Sequence, residues 1–286
     1  MKLPENKRLI TAQYTVDLFL DHFNERLRVD DYRGNVKAIV SGIRELLKES
    51  KFTKVIFHSK PEHWKELLQY GFELEAIFKG YNNGTDQYTM AFYTTNERRT
   101  SEDWIKEDEI LADVYKKGRD SETKEAPDNY IFRRATIKDT DKLAMLYRKV
   151  FKVYPTPMNE PEYVNKVMKA GSIFYLVENN NEIVSAASAD VNYTYNNAEL
   201  TDCATLPEHR KYGLMKTLLS ELEGVLKKEQ IFCAFSIARS LSFGMNSVFY
   251  QLGYHYTGRL RKNCYIYDKL EDMNVWVKDL SMEALN

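Results

Sequence analysis

The sequence predicts an α/β (α+β) protein whose C-terminal part is built on a mixed central sheet and is preceded by a smaller α/β part. Three observations carry this. Stretches with strand-like and helix-like apolar spacing alternate along the chain. One long polar stretch, Asn96 to Asn129, breaks the alternation. The 286 residues are about twice a usual single-domain length. The expected division is an α/β domain over 1–95, a charged helical linker over 96–129 and the larger domain over 130–286.

In the first part, residues 9 to 20 read as strands. Residues 35 to 48 place Val36, Ile39, Val40, Ile43, Leu46 and Leu47 on one helical face. KVIFH at 54 to 58 is a short buried strand, and EHWKELLQY is a helix stopped at Gly71, which accepts a left-handed turn. FELEAIFKGY and YTMAFY follow as strands. The polar stretch holds an amphipathic helix with Trp104, Ile105, Ile110, Leu111, Val114 and Tyr115, then a charged run before Pro127.

In the last part, residues 130 to 139 form a strand leading into a helix with Leu143, Leu146, Tyr147 and Val150. SIFYLVEN and EIVSAASADVNY flank Asn179, Asn180 and Asn181, a hairpin turn by composition. NAELTDCATL is a strand, and GLMKTLLSELEGVLKKE is a helix with Leu214, Leu218, Leu222 and Leu226 at helical spacing. CAFSIA is a strand, NSVFYQLGY a helix and its stop, and RKNCYIYDK a closing strand. The order is β, α, β, β, β, α, β, α, β.

Composition excludes several classes. An apolar share of 43% and a charged share of 29% are those of a folded globular chain. With 41 basic and 42 acidic residues, no general field draws the protein to nucleic acid or an anionic membrane. Cys203, Cys233 and Cys264 have no paired spacing, which favours a reducing, cytoplasmic setting. The five histidines show no ligand spacing, so no metal is expected. No run of eighteen apolar residues and no secretory leader is visible.

Chemistry concentrates in ATLPEHRKYGLMKTLL, residues 204 to 219. A strand ends at Pro207, a loop carries Arg210, Lys211 and Gly213, and a helix begins near Leu214. A helix N-terminus offers unpaired N–H groups and the positive end of the macrodipole, so this bend suits a diphosphate. By itself the pattern also fits a solvated strand-to-helix connection.

The run Arg210-Lys211-Tyr212-Gly213-Leu214-Met215 resembles the acyl-CoA motif R/Q-x-x-G-x-G/A of the GNAT acetyltransferase superfamily, departing at Met215 where a small residue is usual. Tyr250, Gly253 and Tyr254 resemble the family's Tyr-x-x-Gly-aromatic helix end. TDCATLPEHRKYGLM, ARSLSFGMNSVFYQLGYHYTGRLRKNC and EDMNVWVKDL resemble the beta-lysine N-acetyltransferase family, as do NERLRVDDYRGN and YGFELEAIFKGYNNGTDQYTMAFY in the N-terminal part. The resemblance implies a C-terminal GNAT fold. It also implies acetyl transfer from acetyl-CoA to the side-chain amine of beta-lysine, giving the osmolyte N-epsilon-acetyl-beta-lysine. A second helix, Gly-aromatic and two-strand run in the N-terminal part suggests a degenerate GNAT-like copy. Alternatives are another diamine or amino acid as acceptor, or an acyl-CoA-binding protein without catalysis.

Amine acetylation needs a neutral nitrogen, and an ammonium with a pKa near ~10.4 is neutral in about one molecule in a few thousand at pH 7. Glu199, by its place in the family, and Asp202 are the candidate bases; strand alternation sets them on opposite faces unless a bulge intervenes. Tyr250 matches the family's general acid. Cofactor contacts are expected from Cys203, Ala204, Thr205, Arg210, Lys211, Tyr212, Gly213, Leu214, Met215, Lys216 and Asn246, the last standing near a place where Phe243 replaces the usual asparagine. Arg239 is a candidate carboxylate clamp, shared with Arg259, Arg261, Lys262 and Asn263. Asn24, Arg26, Arg28 and Asp30 alternate with Leu27 and Val29 and are candidates to close the substrate pocket. The expected partners are a small amine and acetyl-CoA, with no nucleic acid or membrane; a homodimer is compatible with the sequence.

Overall fold

The computed structural model describes residues 4–119, 126–152, 156–210, 212–266 and 268–282. The first half runs β1 (Glu5–Ile10), β2 (Tyr14–Asp21), β3 (Arg26–Gly34), α1 (Val36–Lys48), β4 (Lys54–Ser59), α2 (Trp64–Gln69), β5 (Glu73–Asn82) and β6 (Thr85–Tyr93). α3 (Asn96–Arg99) and α4 (Trp104–Lys117) follow. The second half runs β7 (Ile131–Arg134), α5 (Thr140–Val150), α6 (Pro161–Lys169), β8 (Ile173–Asn179), β9 (Glu182–Asn192), β10 (Asn197–Thr205), α7 (Leu214–Lys228), β11 (Cys233–Arg239), α8 (Phe243–Gln251), β12 (His255–Ile266) and β13 (Lys269–Asp279).

All thirteen strands among the described residues belong to one mixed sheet, ordered β1-β2-β3-β4-β6-β5-β12-β13-β11-β10-β9-β8-β7. The first six repeat the topology of β8 to β13. In each half an antiparallel meander passes through a helix, α1 or α7, into a parallel strand, and the last strand inserts beside it. Among the described residues the N-terminal half has no counterparts of β7, α5 and α6, and the two halves otherwise share one strand order.

Alternation explains the layers. Leu27, Val29, Val55, Phe57 and Met90 bury one face of the first half beneath α1, whose Val36, Ile39, Val40 and Ile43 point inward. In the second half, Leu214, Leu218, Leu222 and Leu226 of α7 pack on Leu176, Ala186 and Leu200. Asn180 and Asn181 take the left-handed conformations that the β8–β9 turn requires.

The halves meet where β5 pairs with β12 at Ala76 and Gly258. Gly258 has φ +152°, and a Cβ there would stand 2.0 Å from the Glu75 carbonyl oxygen, so this close approach needs glycine. Phe78, Phe235, Leu260, Met273 and Val275 fill the joint. Each half also clasps the other by a hairpin turn. The Tyr265 N–H donates to Asn24 Oδ1 at 2.7 Å, and the Asn83 N–H donates to the Tyr195 carbonyl at 3.0 Å.

Three expectations need amendment. α6 and β13 were not foreseen; β13 opens with charged Glu271 and Asp272, which are nonetheless buried. Their partners come from remote segments: Arg239 grips Glu271, and the Lys262 N–H donates to Asp272. α4 does exist in the polar stretch, but Trp104, Ile105 and Tyr115 are exposed while Glu107 is buried, close to Arg259 of β12.

Candidate active site

Between the halves lies a cavity of about 1650 Å³. Its origin is a break in pairing. β10 and β11 run parallel only through Asn197, Ala198 and Glu199 opposite Cys233, Ala234 and Phe235, then part. Beyond Glu199 the cavity is bordered by Thr201, Asp202 and Cys203 on one side and Ser236, Ile237 and Ala238 on the other. The opposing wall is the helix-free face of the first half, with Arg26, Arg28 and Asp30 from β3, His58 from β4, and Gln87 and Thr89 from β6.

A bulge follows Glu199. The β9–β10 register shifts between Thr201 and Ala204, and Asp202 has φ +50°. The Tyr147 hydroxyl holds the bulge by donating to the Asp202 carbonyl at 2.8 Å, and Ser188 donates to the Asp202 carboxylate at 2.7 Å. Glu199 and Asp202 therefore both line the cavity rather than opposite faces. Burial, then the carboxylates of Asp190 and Asp202, push Glu199 up to about 8 against the pull of Arg28 and Arg26. Burial pushes the Cys203 thiol up, so it stays protonated and unreactive.

At the far end, the loop after β10 reaches α7 through Gly213, which is left-handed at φ 66° and gives the helix no side-chain cap. Its first N–H groups are thus free for an anion. Arg210, Gly213, Leu214, Met215 and Lys216 line the cavity, as do Cys203 and Thr205. Arg210 is exposed, with Nε donating to the Thr205 carbonyl at 3.3 Å. The shape suits an extended ligand whose anionic head meets α7 while its tail runs between the parted strands. Lys211 lies outside the described residues.

Other expected residues are placed elsewhere. Ala204 is buried toward the helices, its carbonyl accepting from Ser185, and Tyr212 packs near Tyr130. Asn246 is fully buried; its amide donates to the Arg239 and Ser242 carbonyls and accepts from Asn274 and Trp276, so it braces α8 away from any ligand. Tyr250 turns from the cavity, standing edge-on to Tyr115 of α4 with Arg119 over its ring. Phe249, one residue earlier, is fully buried against Tyr254 and has no proton to give.

The clamp also changes. Arg239 lines the cavity but already holds Glu271 with two bonds of 2.8 Å. Arg259 is bound to Asp108 and Asn274, and Arg261 to Glu73, all at the joint. Asn24 does not line the cavity; it binds Asp21 and Tyr265. Arg26 and Arg28 do line it, and Arg26 is fixed by Asp21 and the Asn263 carbonyl. His58, Tyr81, Gln87 and Asp190 line it too and carried no sequence signal, because only the joining of two sheets brings them to one space.

Residues 140–254 match the acetyltransferase (GNAT) family profile. The chain is 38% identical over 274 residues to N-acetyltransferase YodP of Bacillus subtilis (strain 168), covering 96% of this chain and 99% of that protein. It is 32% identical over 270 residues to the beta-lysine N(6)-acetyltransferase of Methanosarcina mazei, covering 87% and 100%. The beta-lysine N(6)-acetyltransferase of Methanococcus maripaludis is 31% identical over 260 residues, covering 91% and 94%.

Proposed function

We propose that this chain, which belongs to the GNAT acetyltransferase family and is an acyl-CoA-dependent N-acetyltransferase, acts on the side-chain amine of beta-lysine. Two relatives named for that reaction match along nearly their whole length. The observation that carries the reading is the position of Glu199 at the head of the parted strands, facing Arg26 and Arg28 of the other half. Acetyl-CoA is the co-substrate. Its diphosphate rests on the N-terminus of α7 with Arg210 alongside, and its thioester reaches Glu199.

The substrate ammonium gives one proton to the Glu199 carboxylate, whose raised pKa makes it a competent base near neutrality. The freed lone pair attacks the thioester carbonyl carbon. Backbone N–H groups released where β10 leaves β11 offset the charge that develops on oxygen. The C–N bond forms, the C–S bond breaks with its electron pair on sulfur, and the amide nitrogen loses a second proton. The thiolate takes up one proton, so the sum releases one. A thiol of pKa near ~8.5 leaves without a dedicated donor, which fits the absence of Tyr250 from the cavity. Asp202, tied to Ser188, shapes the site, and its charge adds to burial and to Asp190 in making Glu199 a stronger base.

Among the described residues no helix is long and apolar enough to cross a membrane, and all three cysteines are free thiols. Three cysteines without a disulfide suit a reducing compartment, and we place the reaction in the cytoplasm on that ground. Both cavity walls come from one chain, so the scheme does not require a homodimer.

The test is incubation with acetyl-CoA and beta-lysine, lysine, ornithine or spermidine, following thiol release. Beta-lysine is expected to give the highest kcat/KM. Faster turnover of a competitor overturns the substrate, and cofactor binding without turnover of any amine overturns the enzyme.

A further inference from the structure

We propose that Asp30 is a specificity-determining residue, receiving the second ammonium of a diamino acid while the adjoining Arg28 receives its carboxylate. This rests on the reading of Glu199 as the site of amine acetylation. Arg28 and Asp30 sit two residues apart on β3 and both line the cavity. Arg28 Nε and Nη2 donate to the two oxygens of Asp30, the second at 3.0 Å. The arrangement leaves capacity on both partners. A guanidinium has five N–H donors and a carboxylate about four acceptor sites, so each keeps bonding positions beyond the shared pair.

The pair is also held in place. The Arg28 guanidinium lies 4.7 Å over the Phe19 ring, and a shift in the β2–β3 register places Asp30 as the extra residue between Val29 and Asp31. A receptor fixed before binding loses less freedom when the ligand arrives. His58 stands nearby, its Nδ1 3.9 Å from Asp30. Burial, then the charge of Arg28, lowers His58 to about 4, so it stays neutral and does not occupy Asp30 as a counter-ion.

Across the cavity Arg28 senses the Glu199 carboxyl as well as Asp30. Arg28 and Asp30 thus stand side by side within reach of the acetylation point. In beta-lysine the carboxylate and the second ammonium sit on carbons separated by a single methylene, so rotation about that methylene sets them side by side against Arg28 and Asp30. Desolvating that second ammonium without a partner is unfavourable, so Asp30 favours substrates that possess it.

The test compares beta-lysine with 6-aminohexanoate, which differs only by lacking the second amine. The wild type is expected to prefer beta-lysine by about tenfold or more in kcat/KM. Asp30→Asn is expected to lower that value for beta-lysine by roughly 10- to 100-fold, mainly through KM, and to lower it for 6-aminohexanoate by about tenfold less, so that the preference between them is largely lost. Coenzyme A affinity, read by calorimetry, checks that the variant is folded. Equal losses on both substrates, an unchanged beta-lysine KM, or a wild-type preference near one overturns the proposal; the last needs no variant. Should lysine or ornithine prove the better substrate, the beta-lysine assignment fails, and Asp30 is judged on that acid against its analogue lacking the second amine.

Discussion

The two halves of the sheet share a strand order and differ in how their parallel pair ends. In the second half, β10 leaves β11 after Glu199, and fourteen residues separate Glu199 from the first turn of α7 at Leu214. In the first half, β3 leaves β4 after Val29 and Phe57, and α1 begins almost at once at Val36. The gap there is filled by Tyr32, whose ring stands edge-on to Phe57 and whose hydroxyl lies 2.9 Å from His63 Nδ1. The helix ends differ in the same sense. Asn35 caps α1 by accepting from the Ala38 N–H at 3.0 Å, whereas Gly213 leaves α7 uncapped. One topology thus yields a ligand cleft or a closed wall according to loop length, one aromatic plug and one cap.

The sharpest way to break this contrast is to remove the group at the head of the open cleft. Glu199→Gln is expected to lower kcat by about 10²- to 10⁴-fold. In the wild type kcat/KM should rise with pH through about 8 as Glu199 ionises, and steady-state profiles of the variant should lack that limb. Stability moves the other way. The folded protein keeps the Glu199 proton up to about 8 while the unfolded chain releases it near 4.5, so between those values stability falls as pH rises. Glu199→Gln should therefore melt higher than wild type above pH 8, and an unchanged melting temperature would speak against a buried, strained carboxyl.

Next in size is Gly213→Ala. A side chain forced into the left-handed region costs about 1–2 kcal/mol and disturbs the turn that presents the first N–H groups of α7. Coenzyme A affinity should fall about tenfold or more. The counterpart in the closed half is Asn35→Ala, which should cost roughly 0.5–2 kcal/mol in denaturant unfolding and leave coenzyme A affinity as it was. Loss of coenzyme A binding in that variant would place a ligand where the comparison puts a wall. The smallest effect belongs to Tyr250→Phe. Because that ring packs on Tyr115, its rate should stay within about twofold of wild type, and a hundredfold loss would return Tyr250 to the chemistry.

What the sequence made legible was local. Leu214, Leu218, Leu222 and Leu226 announced α7, Gly213 its start, and three asparagines the β8–β9 turn. The bulge that turns Asp202 toward Glu199 was expected near Asp202, but what holds it, Tyr147 and Ser188, lies far away in the chain. Tyr250 keeps the expected spacing before Gly253, but α4 brings Tyr115 edge-on to its ring, a contact from another segment that no local pattern announces. The basic run from Arg259 to Lys262 resembled a clamp, yet its acidic partners Glu73, Glu107 and Asp108 come from other segments. Arg28 and Asp30 were visible as an alternating pair, but only the joint at Gly258 turns their strand toward Glu199.

Titration of the wild-type chain with coenzyme A in a calorimeter tests the contrast most directly. The parted strands and uncapped helix of the second half predict one coenzyme per chain, with binding weakened by Gly213→Ala and unaffected by Asn35→Ala. A stoichiometry of two would mean the first half still opens a cleft, and no binding to folded protein would contradict the assignment of the cavity altogether.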